Sequence, residues 1–110
     1  MTKVEIIKKQ NHIRQVVCDG HTMYGASGED IVCAALSSVV QTAALGLMSV
    51  AGININLERE ETRGYLKMTI PDGLSDVQEI QADAILETML CGISDLYIGF
   101  SDFIELEVKN

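Results

Sequence analysis

The sequence predicts an α+β fold of two layers, in which two helices cover one face of a mostly antiparallel sheet in the order ββαββαβ. Three observations predict it. Short segments alternate apolar and polar residues with period two, one long stretch carries no charge, and another places apolar residues at steps of three and four. The 110 residues contain no linker-like or low-complexity stretch, so we expect a single domain spanning 1–110.

The first two strands are predicted at 3–8 and 12–18, which are rich in valine and isoleucine with imperfect alternation. Gln10 and Asn11 lie between them, so the pair should form a hairpin. The segment 20–28 follows, with three glycines in nine residues and no hydrophobic period. That composition predicts a loop.

A long helix is predicted next, ending near Val50. Its start signal is Ser27 with Asp30 three residues later, and either residue is a candidate N-cap. Residues 31–53 carry no charge and are long enough to cross a bilayer. Polar side chains interrupt the run and no basic residue flanks it, so we interpret it as a helix buried in protein. Its small residues predict close contacts on more than one face.

The clearest hairpin is predicted at 53–58 and 65–70, on both sides of a charged turn at 60–64. Both segments alternate with period two, and their inward residues should be Ile53, Ile55, Leu57, Leu66, Met68 and Ile70.

The second helix is predicted to begin at Ser75, because Gln78 three residues later completes a capping box. Gly99 should end it, and 103–109 alternates as a last strand. The three- and four-residue spacing predicts a buried face made of Ala82, Ile85, Leu86, Met89, Leu90, Ile93, Leu96 and Tyr97.

Charge and cysteine content narrow the classes of function. The net charge is −8 and no basic cluster exists beyond Lys8-Lys9, so nucleic acid is not an expected partner. The acidic surface favours positively charged partners such as a basic peptide, but on charge alone the simpler interpretation is that acidity aids solubility. The N-terminus lacks the features of a signal peptide, and the three cysteines form no C-x-x-C pair. We therefore expect reduced thiols and a cytoplasmic location. Ligand spacing predicts no metal site, and no nucleotide-binding motif is present.

Cys33 is the candidate nucleophile, because it lies near a predicted helix start, where unpaired amides favour a thiolate. Glu29 and Asp30 oppose that effect, so a cationic partner is needed. His21, twelve residues earlier, is the nearby candidate. On spacing alone, a cysteine in an apolar helix is more often a small buried apolar residue than a nucleophile, and that interpretation of Cys33 stays open. The remaining candidates, Cys18, Cys91 and His12, are interpreted as structural, and Cys91 is expected in the core.

The segment 20–37, GHTMYGASGEDIVCAALS, resembles the ribosomal-processing cysteine protease family, Prp. The family pattern is Gly-His, a glycine-containing loop, Gly-x-Asp-Ile-Val-Cys-Ala-Ala, and a serine four residues past the cysteine. Gly20-His21, Gly28, the run from Asp30 to Ala35, and Ser37 all stand in register. Thr22 departs from the family, which more often has alanine there.

The resemblance implies a cysteine endopeptidase that removes the N-terminal extension of a large-subunit ribosomal protein, as a cytoplasmic homodimer without cofactor. Cys33 and His21 would form the catalytic pair. Asp30 would orient His21 or cap the helix, and Ser37 would line the site or bond its own backbone. The substrate loop would contain Gly20, Thr22, Gly25 and Gly28 and would close over substrate.

Two alternatives remain open from the sequence. The first is a non-catalytic dimeric assembly factor that binds a basic ribosomal protein. The second is a thiol redox sensor, which needs a resolving cysteine close to Cys33; Cys18 and Cys91 are the available residues.

Overall fold

The computed structural model describes residues 1–20, 29–60 and 64–110, with the backbone alone at 29 and 30. Its elements follow the predicted order ββαββαβ. They are β1 (Thr2–Lys9), β2 (His12–Asp19), α1 (Glu29–Ser49), β3 (Asn56–Glu60), β4 (Tyr65–Thr69), α2 (Asp76–Gly99) and β5 (Ile104–Lys109). The strands form one sheet in the order β3-β4-β2-β1-β5, antiparallel except for the parallel pair β1–β5. The predicted fold class is confirmed.

The β1–β2 hairpin turns through Gln10 and Asn11, which both have positive φ angles, 53° and 68°. A two-residue turn with positive φ at both positions has a backbone twist that matches the twist of the two strands it joins. The register shifts between Ile7 and Lys8, whose partners are Gln15 and Ile13. One extra residue on β2 is thus left without a direct partner, and this bulge explains the imperfect alternation of the sequence.

The helices bury one side each against one face of the sheet. Val4 and Ile6 from β1, Val16 from β2 and Met68 from β4 are completely buried there. The helices approach each other at two glycines. A Cβ at Gly92 would lie 3.3 Å from Val39, and one at Gly46 would lie 3.6 Å from Ile85. On the helix side the core contains Val32, Leu36, Val40, Leu47, Ala82, Leu86, Met89 and Ile93.

The second hairpin begins later than predicted. Ile53 and Ile55 are buried as expected, but pairing starts only at Asn56, opposite Thr69. The partner strand β4 ends at Thr69. The amide of Ile70 donates to Arg14 O of β2 (2.9 Å), and the residue after Ile70 is a proline, which has no N–H to pair with β3.

The α1 helix is less enclosed than the sequence suggested. By length and apolar composition its segment Ile31–Ser49 could cross a membrane, as the core helix of a soluble protein also could. In this chain 39% of the segment's apolar 18-residue window is buried. The expected contact on several faces is wrong for the single chain, because Ile31 is 70% exposed and Leu45 is 59% exposed. Burial of one face only leaves an apolar surface on the outer side.

Candidate active site

Cys33 points from α1 towards the first strand of the sheet. It lies three residues before Leu36, on the buried face of the helix, and only 3% of it is exposed. Its Sγ lies 2.9 Å from Oγ1 of Thr2, and either atom is a possible donor. Thr2 is itself 4% exposed and is the buried polar residue of the described core. The nucleophile candidate is therefore held by a side chain from β1.

A cavity of about 210 Å³ opens beside Cys33, between α1 and the β3–β4 hairpin. The helix contributes three polar or reactive side chains one turn apart, Cys33, Ser37 and Gln41. The structure thus brings together Cys33 and Ser37, as the sequence predicted. The other lining residues are Cys18, Ala34, Arg59, Glu60, Gly64, Tyr65 and Leu66.

Cys18 reaches the same cavity from β2. It pairs with Val4 across the β1–β2 ladder, so its side chain lies on the face of the sheet that α1 covers. Burial raises the pKa of Cys18 to about 12, and the nearby Cys33 adds to the effect. Cys18 is therefore a neutral thiol at physiological pH and places no competing negative charge beside Cys33.

Of the predicted loop 20–28 between β2 and α1, Gly20 alone lies within the described residues. Gly20 directly follows β2 and has φ +107°, and a Cβ there would lie 2.6 Å from Met1 O. His21, Thr22, Gly25 and Gly28 lie outside the described residues.

Asp30 lies inside α1, which already includes Glu29, so it is not the N-cap that one alternative proposed. The other alternative, Ser27, is outside the described residues. Cys33 is four residues into the helix as described, where the helix dipole contributes little because its effect fades within the first turn. A thiolate at this position needs local hydrogen-bond donors or a cation.

The sequence model of the family described as cysteine protease Prp matches residues 1–105. The chain belongs to the Prp family. It is 26% identical over 110 residues to the ribosomal processing cysteine protease Prp of Staphylococcus aureus Mu50, covering 99% of this chain and 100% of the relative. The prediction of a cysteine protease is confirmed, and the non-catalytic alternative is not supported.

Two solved structures of the Staphylococcus aureus Prp share this fold. The protease in complex with a substrate peptide superposes with a TM-score of 0.87, at 24% identity, over 99% of this chain and 100% of that chain. The complex with a covalently linked product peptide gives 0.83 at 25% identity, with the same coverage. The fold described above is therefore the Prp fold.

Cys91 is not in the core, contrary to the prediction. It is exposed on α2. The buried positions of that helix are Ala82, Leu86, Met89 and Ile93, and Cys91 lies about 200° around the axis from Met89. Tyr97 is also exposed, at 39%, although the spacing placed it on the buried face. Of the two cysteines considered as partners for Cys33, only Cys18 lines its cavity.

His12 belongs to a separate polar cluster at the other end of β2, roughly 20 Å from Cys18. Its Nδ1 donates to both carboxylate oxygens of Asp83, at 2.8 and 2.9 Å. Glu79 next to it accepts two hydrogen bonds from Arg14 Nη2, at 2.7 and 2.8 Å. The side chains of His12, Glu79 and Asp83 lie close enough together to hold a metal ion, but they already bond to one another and to Arg14. The cluster joins β2 to α2, which agrees with the structural role expected for His12.

Several cavity residues were missed by sequence reasoning. Gln41 was detectable, because it follows Ser37 by four residues on the same helix face. Arg59 and Tyr65 belong to a hairpin that was predicted, but no local pattern shows that it closes over α1. Thr2 lies outside the predicted strand 3–8 and belongs to no motif, and only the packing of β1 beneath α1 brings it to Cys33.

Proposed function

We propose that this chain removes the N-terminal extension of a large-subunit ribosomal protein, with Cys33 as nucleophile and His21 as its base. The observation that carries the proposal is Cys33 Sγ on the wall of a cavity between α1 and the β3–β4 hairpin, in a chain of the Prp family. The Staphylococcus aureus relative is named a ribosomal processing cysteine protease, which supports a ribosomal protein as substrate.

The reaction follows the general course of thiol proteolysis. His21 takes the proton from Cys33, and the thiolate attacks the scissile carbonyl carbon. Backbone amides at the start of α1 donate to the oxyanion. His21 then protonates the leaving amine, and water hydrolyses the thioester. Asp30 would orient His21, and Ser37 and Gln41 line the cavity that would receive the substrate chain.

Charge supports a basic substrate in the cytoplasm. The chain has 16 acidic and 8 basic residues, and the opposite charge of a ribosomal protein would increase the rate of encounter. Cys18, Cys33 and Cys91 are free in this structure. Free thiols of this kind persist in a reducing compartment, where such a precursor is also made.

A direct test incubates the protein with a ribosomal protein precursor and weighs the products by mass spectrometry. We expect cleavage by the wild type and a loss of at least about a thousandfold with Cys33→Ala or His21→Ala. Cys91→Ala is the matched control, because Cys91 is exposed and outside the cavity, and it should cleave at the wild-type rate. Cleavage by Cys33→Ala at the normal rate would show that the nucleophile lies elsewhere.

The protease is also proposed to be a homodimer. An apolar groove of about 620 Å³ lies between α1 and α2, with Val39, Ala84 and Ile85 among its lining residues. Leu45 on α1 is 59% exposed and Ile80 on α2 is 70% exposed. Both lie beside the groove on their helices and enlarge its apolar surface. A large exposed apolar surface of this kind favours a protein interface, and a second copy of the chain offers the same surface in return.

A further inference from the structure

We propose that Thr2 is a positioning residue for the reaction: its hydroxyl donates a hydrogen bond to the Cys33 thiolate, which fixes the sulfur and increases the thiolate fraction at neutral pH. The proposal rests on the proposed role of Cys33 as nucleophile. No motif of the sequence pointed to Thr2, and the observation that carries the inference is its contact with Sγ.

Thr2 occupies a position where an apolar residue would be expected. It alternates with Val4 and Ile6 on the inward face of β1, and all three are buried. Valine has nearly the shape of threonine and would avoid burying a hydroxyl, which costs free energy unless that hydroxyl finds a partner. The partner here is Cys33 Sγ at 2.9 Å. Thr2 is thus the one buried polar residue of the described core, and its hydroxyl lies at the sulfur of Cys33.

The hydroxyl is held rigidly. The backbone amide of Thr2 donates to Phe103 O at 2.9 Å, and Thr2 pairs with Ile104 in the parallel ladder between β1 and β5. A β-branched side chain has few χ1 rotamers, so the position of the oxygen follows from that of the strand. Cys33 is held separately by α1. Sheet and helix together thus set the distance between oxygen and sulfur.

The direction of the hydrogen bond depends on the protonation state of the sulfur. A thiolate has no proton and can only accept, so the Thr2 hydroxyl must donate when Cys33 is ionised. Hydrogen bonds to an ion are stronger than those between neutral groups, and they favour the ionised form. The neighbouring Cys18 stays neutral. The Thr2 hydroxyl therefore supplies stabilisation that the helix dipole, four residues into α1, supplies only weakly.

The test measures alkylation of Cys33 in the full chain by iodoacetamide between pH 5 and 10, with the modified peptide quantified by mass spectrometry. In Thr2→Val we expect the midpoint of the rate–pH profile to move up by about one pH unit and the rate at pH 7 to fall about tenfold. Thr2→Ser keeps the hydroxyl and should restore most of the rate. Thr69→Val removes a part-buried hydroxyl on β4 and should leave the profile unchanged.

Cleavage of the precursor provides the second readout. In Thr2→Val the value of kcat should fall at pH 7 and approach that of the wild type near pH 9, because a higher pH favours the ionised sulfur in both proteins. A merely structural role for Thr2 would lower the rate equally at both pH values. Thr2→Ala controls for a packing effect of the valine side chain, because it removes the hydroxyl without putting a methyl group in its place. It should move the alkylation midpoint in the same direction as Thr2→Val.

The proposal is overturned if Thr2→Val and Thr2→Ala leave the midpoint unchanged or lower it, or if Thr2→Ser behaves as they do. A lowered midpoint would mean that the contact stabilises the neutral thiol. This outcome is independent of the substrate, because alkylation needs no precursor. Failure of the proposed function has a different signature, namely a Cys33→Ala variant that still cleaves or a wild type that leaves the precursor intact.

Discussion

Cys18, Cys33 and Cys91 are the same residue type in three environments. Cys33 contacts a threonine hydroxyl, Cys18 is enclosed beside it, and Cys91 faces outwards. The reactivity of a thiol follows its surroundings, because only the thiolate attacks. The motif names Cys33 as the candidate nucleophile, and this stays a prediction. The expectation that Cys91 lies in the core is wrong, because that position is not on the buried face of α2.

Burial of Cys18 predicts a pH dependence of stability. The pKa of Cys18 is raised from 9.0 to about 12 in the folded chain, so its contribution is complete below pH 9. Between pH 9 and 12 the unfolded thiol ionises while the folded one does not, and the free energy of unfolding falls by up to about 1.4 kcal/mol per pH unit. Urea unfolding at pH 8 and pH 10 under reducing conditions measures this loss.

The control for that measurement is Cys18→Ala. Its overall stability is lower because a cavity is left, but its decline between pH 8 and pH 10 should be shallower than that of the wild type. Equal slopes in the two proteins would contradict a raised pKa at Cys18.

At the scale of single elements, the start of α2 depends on one side chain. Ser75 Oγ accepts from the amide of Gln78, and the Gln78 side chain accepts from the amide of Ser75, both at 3.1 Å. Gln78 Nε2 also donates to Ala51 O at 3.2 Å. The predicted capping box is confirmed, and it additionally ties α2 to the segment that follows α1.

Loss of this cap should be measurable. Ser75→Ala should lower the free energy of unfolding by about 1 kcal/mol, since one amide of the first turn loses its acceptor. Ser101→Ala is the control, in the exposed turn between α2 and β5, and it should change stability by less than about 0.5 kcal/mol. Urea unfolding followed by circular dichroism compares the two, and equal values would show that the box is dispensable.

The end of β2 requires a residue without Cβ. Gly20 combines a positive φ of +107° with a Cβ position 2.6 Å from a backbone oxygen, whereas Gly73 has φ +78° and open space. Gly73→Ala should therefore cost about 1 kcal/mol from backbone strain alone, and Gly20→Ala should cost more.

The Gly20→Ala and Gly73→Ala variants also test the candidate active site. Gly20 directly precedes His21, so Gly20→Ala should also reduce cleavage of the precursor, while Gly73→Ala should not. Thermal unfolding and cleavage assays on both variants check this. A Gly20→Ala protein with the stability and activity of Gly73→Ala would contradict the close approach to Met1.

At the scale of the whole molecule, the exposed apolar side of the helix layer predicts self-association. Leu45→Lys and Ile80→Lys should shift the protein from dimer to monomer in light scattering after size exclusion, because each places an unpaired charge in an apolar interface. Val108→Lys is the control, as Val108 is 47% exposed on β5 and away from the groove, and it should remain dimeric. A wild type that is monomeric at micromolar concentration would contradict the proposal.

The sequence by itself determined the order of elements, the two hairpins, the capping box and the motif around Cys33. These features depend on residues close together in the chain, through periodicity, turn chemistry and capping. It also predicted that Ser37 follows Cys33 on one helix face, since α-helical geometry repeats locally.

Only the tertiary structure decided which side chains meet at the sulfur. Thr2 and Cys33 are 31 residues apart, and Cys18 lies on a different strand from Thr2. Their approach depends on β1 and β2 packing beneath α1, and on the bulge that sets the register of β2. Such contacts follow from the burial of whole faces against each other, which no local pattern of residues encodes.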